Sequence, residues 1–165
     1  MAFGTGTHET TQLVSRLLDK IARKRSLSTV LDVGCGTGVL AILAEKMGAE
    51  VVQAIDNDAE ARRVARENVE RNDCQSTVVE DFQIEEASEQ YDLVLANIID
   101  GILIKIGEPL VKTVKMGGLL LVSGILAERE EIFFDKFVRA YGLKIVDRRI
   151  QGDWLGLVLK HSSEG

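Results

Sequence analysis

The sequence predicts an α/β fold with a doubly wound, mostly parallel seven-stranded sheet and an antiparallel strand at its C-terminal end. Two observations predict it. Apolar strand-like runs alternate with amphipathic helical runs from end to end, the pattern of βα units feeding a parallel sheet. The first strong strand also opens into a glycine-dense turn that leads straight into a helix, as a ligand-binding βα turn does.

The elements follow in order. Thr10 to about Ala22 carries Leu13, Val14, Leu17, Leu18 and Ile21 at helical spacing. Thr29–Val33 is the first strand, and the helix behind its glycine turn ends near Met47, where Gly48 terminates it. The second strand, from Val51, ends at Asp56. Asp58 caps a helix running to Asn72 that buries Ala61, Val64, Ala65 and Val69. Ser76–Glu80 is a short third strand. Tyr91–Ala96 is the fourth, almost wholly apolar as a central parallel strand is. Ile102 to Val114 is helical, with Pro109 breaking or restarting it after Gly107. Gly118–Ser123 is the fifth strand, and Glu128–Tyr141 is helical with Phe133, Phe137, Val138 and Tyr141 on one face. Leu143–Arg149 and Trp154–Lys160 are strands joined by Gln151-Gly152-Asp153. So short a connection requires them to be antiparallel, because a parallel crossover needs a dozen or more residues.

Bulk properties match one globular domain over residues 1–165. Cys35 lies in the glycine turn and Cys74 at a helix end, which gives no disulfide framework and suits a reducing, cytoplasmic setting. No segment is long and apolar enough to suggest a membrane span. A net charge of -6 argues against general affinity for nucleic acid, which needs a basic face. No Cys/His cluster has the spacing of a metal site.

The chemistry concentrates at strand ends. Gly34, Gly36 and Gly38 follow the first strand, and the helix beyond points unpaired N–H groups at whatever binds there. A dinucleotide fingerprint wants its third glycine at position 39, which is Val39. Asp56, after the second strand, suits the ribose of NAD and of S-adenosylmethionine alike. Asp32 weighs between them, since a carboxylate two residues before the glycines repels a pyrophosphate and tolerates a ligand bearing sulfonium and ammonium groups. Asp81-Phe82 reads equally well as an adenine contact and as a loop acid beside a core aromatic. Asn97 follows the fourth strand, where its amide dipoles lie beside the glycine turn.

Asp32-Val33-Gly34-Cys35-Gly36-Thr37-Gly38 followed by Asp56 resembles the first two motifs of the Rossmann-like class I S-adenosylmethionine-dependent methyltransferases. Met1-Ala2-Phe3-Gly4-Thr5-Gly6-Thr7-His8-Glu9-Thr10-Thr11, with Ala96-Asn97-Ile98-Ile99 and Ser123-Gly124-Ile125-Leu126, resembles more narrowly the catalytic domain of the ribosomal protein L11 methyltransferases, from Met1 to about Lys160. The resemblance implies S-adenosylmethionine as cofactor, contacted by Phe3, Thr5, Thr11, Gly34, Cys35, Gly36, Asp56, Asn57, Asp81, Phe82 and Asn97, with Asn97 also positioning the acceptor. It implies N-methylation of lysine or α-amino groups of a ribosomal protein, with the family's separate N-terminal recognition domain absent from this chain. A small-molecule N-methyltransferase and a cofactor-binding module active only with a partner subunit are the alternatives. The opening segment reads as a polar lid, with His8 fixing the loop rather than acting as a base. Trp154 is expected to cover the sheet edge, and His161 to have no specific role. Asn97-Ile98-Ile99 lacks the prolines and aromatic that follow this position in enzymes that methylate glutamine amides or adenine.

Overall fold

The computed structural model describes residues 8–162. Seven strands form one sheet in the order β3-β2-β1-β4-β5-β7-β6: β1 Thr29–Val33, β2 Val51–Ile55, β3 Thr77–Glu80, β4 Tyr91–Asn97, β5 Val114–Leu126, β6 Leu143–Gln151 and β7 Trp154–His161. The pairs β3–β2, β2–β1, β1–β4 and β4–β5 are parallel, whereas β7 runs antiparallel to both its neighbours. The strand order reverses between β1 and β4, so the polar residues after β1, β2 and β4 meet at one crevice.

Two buried clusters fill the faces of the sheet. Strand alternation divides them: Leu93 and Leu95 of β4 face one, Val94 and Ala96 the other. On the first face lie α1 (His8–Lys24), α2 (Val39–Lys46) and α3 (Ala59–Arg71). Leu13, Val14, Leu17, Leu18 and Ile21, the predicted stripe of α1, are all buried there. The second face is covered by α4 (Asp100–Lys105), α5 (Gly107–Lys112) and α6 (Glu130–Phe133), the last widening into a π turn over Phe134–Arg139. Phe133 stacks on Phe137 with centroids 4.8 Å apart, and Tyr141 meets Phe137 edge-on.

Several boundaries differ from the sequence-based expectation. The helix expected over 102–114 is two: it starts at Asp100, stops at Ile106 and restarts at Gly107. Pro109 sits in the first turn of α5, where its missing N–H leaves no helical bond unmade. Val114 belongs to β5, whose first half is irregular before Leu119 pairs with Leu93. Val64 is only half-buried, while Ala61, Ala65 and Val69 are buried as expected. His161 is not idle, since its Nε2 lies 2.9 Å from the Val114 carbonyl and ties the end of β7 to the start of β5. Trp154 packs half-buried against the first core. Among the described residues no helix is long and apolar enough to cross a membrane.

Candidate active site

The turn after β1 is fixed by backbone geometry. The Gly34 and Cys35 N–H groups both donate to the Ile55 carbonyl, at 2.8 and 2.9 Å, which locks the ends of β1 and β2 together. Gly34 has φ +70°, and a Cβ there would lie 2.9 Å from the Ile98 side chain. Only glycine meets both conditions. Gly38, at φ +86°, begins α2 without a side-chain cap.

Asp56 braces this turn from the next strand. Its Oδ2 accepts from the Gly36 N–H at 2.9 Å and its Oδ1 from the Asp58 N–H at 2.9 Å. Asp58 in turn caps α3 by accepting from the Glu60 N–H. A carboxylate offers about four lone-pair sites, so Asp56 retains acceptor capacity on both oxygens while its direction is fixed. The Arg62 guanidinium donates to the Asp56 backbone carbonyl at 2.7 Å.

Two buried polar atoms beside the turn have no hydrogen-bond partner among the described residues. Asp32 is 1% exposed and its Oδ2 has none. Burial pushes its carboxyl up to about 7, a backbone hydrogen bond from Ala41 opposes the rise, and the charge of Asp56 adds to it. Asn97 is 7% exposed; its Nδ2 donates to Thr10 Oγ1 at 3.5 Å and its Oδ1 has no partner. Both residues line a small cavity with Thr11, Gly34, Cys35, Gly36 and Thr37. Buried polar atoms are nearly always satisfied, so a pair of exceptions here points to a polar ligand. Burial, with the charges of Asp32 and Asp56, pushes the Cys35 thiol up, and Cys35 serves the turn as a small buried side chain.

A larger cavity of about 360 Å³ adjoins the small one across Gly34 and Asn97. Its walls are Asp56 and Asn57 from the β2 end, Ile84 and Glu85 after β3, and Ile98, Ile99, Ile102 and Ile106 after β4. An apolar slot with a carboxylate at one side suits a nucleoside. The structure therefore brings Thr11, Gly34, Cys35, Gly36, Asp56, Asn57 and Asn97 to one crevice. It does not bring Asp81 and Phe82 into the cavity wall: Asp81 is exposed beyond β3, and Phe82 packs half-buried on the second core. The chain leaves β3 extended, so Ile84 and Glu85 of the following 3-10 turn take that place. Phe3, Thr5 and the side chain of His8 lie outside the described residues.

Sequence reasoning missed the isoleucine wall. Ile98, Ile102 and Ile106 recur every four residues after a strand end, a helical stripe that periodicity alone cannot distinguish from one facing the core.

A glycine turn after β1, a carboxylate after β2 and an Asn after β4, on a sheet of order 3-2-1-4-5-7-6, define a Rossmann-like methyltransferase domain. Comparison with known proteins narrows the class. A sequence profile described as ribosomal protein L11 methyltransferase (PrmA) matches residues 1–162. The ribosomal protein L11 methyltransferase of Ruminiclostridium cellulolyticum is 41% identical over 166 residues, spanning 97% of this chain and 51% of that protein. The crystal structure of the ribosomal protein L11 methylase from Lactobacillus delbrueckii subsp. bulgaricus superposes with a TM-score of 0.87 at 30% identity, covering 94% of this chain and 80% of that one. The Synechocystis magnesium protoporphyrin IX methyltransferase, solved with bound S-adenosylmethionine, shares the fold at a TM-score of 0.73 and 18% identity, covering 96% of this chain and 80% of that one. The chain belongs to the ribosomal protein L11 methyltransferase family, whose methyl donor is S-adenosylmethionine. It spans about half the length of the curated relatives it matches.

Proposed function

We propose that this chain is a methyl-transferring unit that binds S-adenosylmethionine and methylates lysine or α-amino groups of a ribosomal protein. The observation that carries the reading is the pair of buried acceptors, Asp32 Oδ2 and Asn97 Oδ1, that have no partner among the described residues and line the small cavity at the glycine turn. A carboxylate so placed accepts a cationic ligand and disfavours a pyrophosphate. The S-adenosylmethionine-dependent relatives and family membership support the same reading.

The residues present fit this cofactor. Asp56 keeps lone pairs free for ribose hydroxyls, Asn57, Ile84 and Glu85 suit the base, and Asp32 with the Gly34–Gly36 backbone suits the amino acid end. When bound, S-adenosylmethionine supplies a methyl group on a positively charged sulfur. Asn97 Oδ1 holds the acceptor amine through an N–H, which directs the nitrogen lone pair. Such alignment can lower a barrier by roughly 7–11 kcal/mol. A lysine amine, with an ordinary pKa of about 10.4, loses its proton more readily as it is desolvated against Ile98 and Ile99. No dedicated base is assigned.

Incubating the chain with methyl-labelled S-adenosylmethionine and purified ribosomal proteins tests the proposal. Label should enter one ribosomal protein in acid-stable form on nitrogen. Binding of the labelled compound with no transfer to any of them contradicts the proposed activity.

A further inference from the structure

We infer that the ion pair between Arg129 and Asp100 is a positioning latch for the loop that carries Asn97, and so sets the geometry in which an acceptor amine is held; the inference rests on the proposed function. Arg129 Nε donates to Asp100 Oδ2 at 2.6 Å, joining the turn after β5 to the start of α4.

The Asn97–Ile99 loop is held differently on its two sides. Inside, the Ile98 N–H donates to the Ser123 carbonyl at 3.1 Å. The β5–β7 register shifts between Val122 and Ile125, and Gly124 in that bulge has φ +89°. A Cβ at Gly124 would fall 2.6 Å from the Ile98 carbonyl oxygen, so the loop lies directly against a bare backbone there. Outside, the chain emerges at Ile99, which is 47% exposed. The next residue, Asp100, carries a side-chain tie on that flank.

Burial separates this pair from the others. Asp100 has a side chain only 10% exposed, the most buried carboxylate among the ion pairs of the described residues, whereas Glu130, paired to Arg148, is 29% exposed. A carboxylate so enclosed pays a large desolvation cost, and removing its cation leaves a buried charge without compensation. Loss of the pair unties the start of α4 and lets Asp100 move outward with Ile99 and the first turn of α4, and in Arg129→Ala the uncompensated charge drives the same movement. Ile99 and Ile102 belong to the cavity wall. Asp56 and Asn57 line the cavity from the β2 end, where the Gly36 and Asp58 N–H groups brace the Asp56 carboxylate. The latch therefore acts on the acceptor side of the site and leaves the ribose side in place.

The test uses the full 165-residue chain with four variants: Arg129→Ala, Arg129→Lys, the double Asp100→Ala/Arg129→Ala, which removes the buried charge and so protects folding, and Arg148→Ala as a surface ion-pair control. Cofactor affinity is read by calorimetry, kcat and KM with the methylated ribosomal protein, and loop position by the methyl resonances of Ile98 and Ile99. Arg129→Ala and the double variant should lose about tenfold in kcat, with the S-adenosylmethionine Kd changed less than threefold and the Ile99 resonance displaced. Arg129→Lys should recover most of kcat, and Arg148→Ala should match the parent. An unmoved Ile99 resonance in both Arg129→Ala and the double variant overturns the inference. So does a kcat loss that Arg129→Lys shares in full, or one that Arg148→Ala reproduces. If the parent chain transfers no methyl group at all, the proposed function fails, while the Ile99 resonance still decides the latch.

Discussion

Asp56 and Gly36 are joined across two strand ends by one hydrogen bond, the Gly36 N–H donating to Asp56 Oδ2 at 2.9 Å. The second strand thereby holds the shape of the turn that follows the first, and a residue proposed to grip a ribose is also part of the scaffold that positions the rest of the ligand.

Asp56→Ala removes an acceptor from the proposed ribose and from the Gly36 N–H together. Hydrogen bonds to a charged group are worth about 1.5–3 kcal/mol each, so two lost ribose bonds should weaken S-adenosylmethionine binding by roughly a hundredfold or more. Titration calorimetry measures this directly. Affinity equal to that of the parent contradicts the ribose assignment.

Asn97→Ala should act on turnover more than on binding. Among the described residues its Oδ1 has no partner while its Nδ2 donates to Thr10, so the acceptor amine has the most to lose. We expect kcat to fall by about 10- to 100-fold, the worth of one hydrogen bond to a nitrogen that gains positive charge as it takes the methyl group, with the cofactor Kd within threefold. The opposite split would make Asn97 a cofactor-binding residue only.

Gly124→Ala and Gly48→Ala form a matched pair. Both positions have left-handed φ, +89° and +110°, but a Cβ at Gly48 meets nothing within 4 Å whereas one at Gly124 strikes the Ile98 backbone. Backbone strain alone costs roughly 1 kcal/mol at Gly48, about 2–4 °C in Tm for a chain of this size. Gly124→Ala should fall by at least twice that and lose activity as the Asn97 loop shifts. Equal Tm losses in the two variants contradict the close approach.

Asp32 gives a pH signature. Its carboxyl, moved by burial up to about 7 from an ordinary 3.8, keeps its proton in the folded state at pH values where the unfolded chain has lost it. The folded state thus binds more protons, and its stability falls as pH rises from about 4 to about 7, then levels. The full span corresponds to about 4 kcal/mol at most. Asp32→Asn removes the titration, so the stability difference between variant and parent should be smallest near pH 4 and grow in the variant's favour up to pH 7. Parallel denaturation curves across that range contradict the assignment.

Much of the candidate site was legible in the sequence because its cavity-lining polar and glycine residues lie where strand runs end: Gly34 after Thr29–Val33, Asp56 after Val51–Ile55 and Asn97 after Tyr91–Ala96. Apolar runs mark parallel strands, and polar residues at their ends mark the crevice. The cavity's isoleucines were hidden because an apolar helical stripe is the same pattern whether it faces a core or a ligand. Asp81-Phe82 is open between two readings, and Phe82 packs on the second core: strand ends predict a crevice, but the path of the chain beyond the strand decides which residue turns into it. The Arg129–Asp100 pair spans 29 positions between two loops, a separation at which no local pattern announces contact.

A crystal structure of the chain with S-adenosylhomocysteine tests the central claim most directly. The base should lie in the 360 Å³ cavity, with both ribose hydroxyls on the Asp56 carboxylate and the amino acid end at the Gly34–Gly36 turn beside Asp32. The compound bound elsewhere, or bound with its ribose turned away from Asp56, would contradict the account.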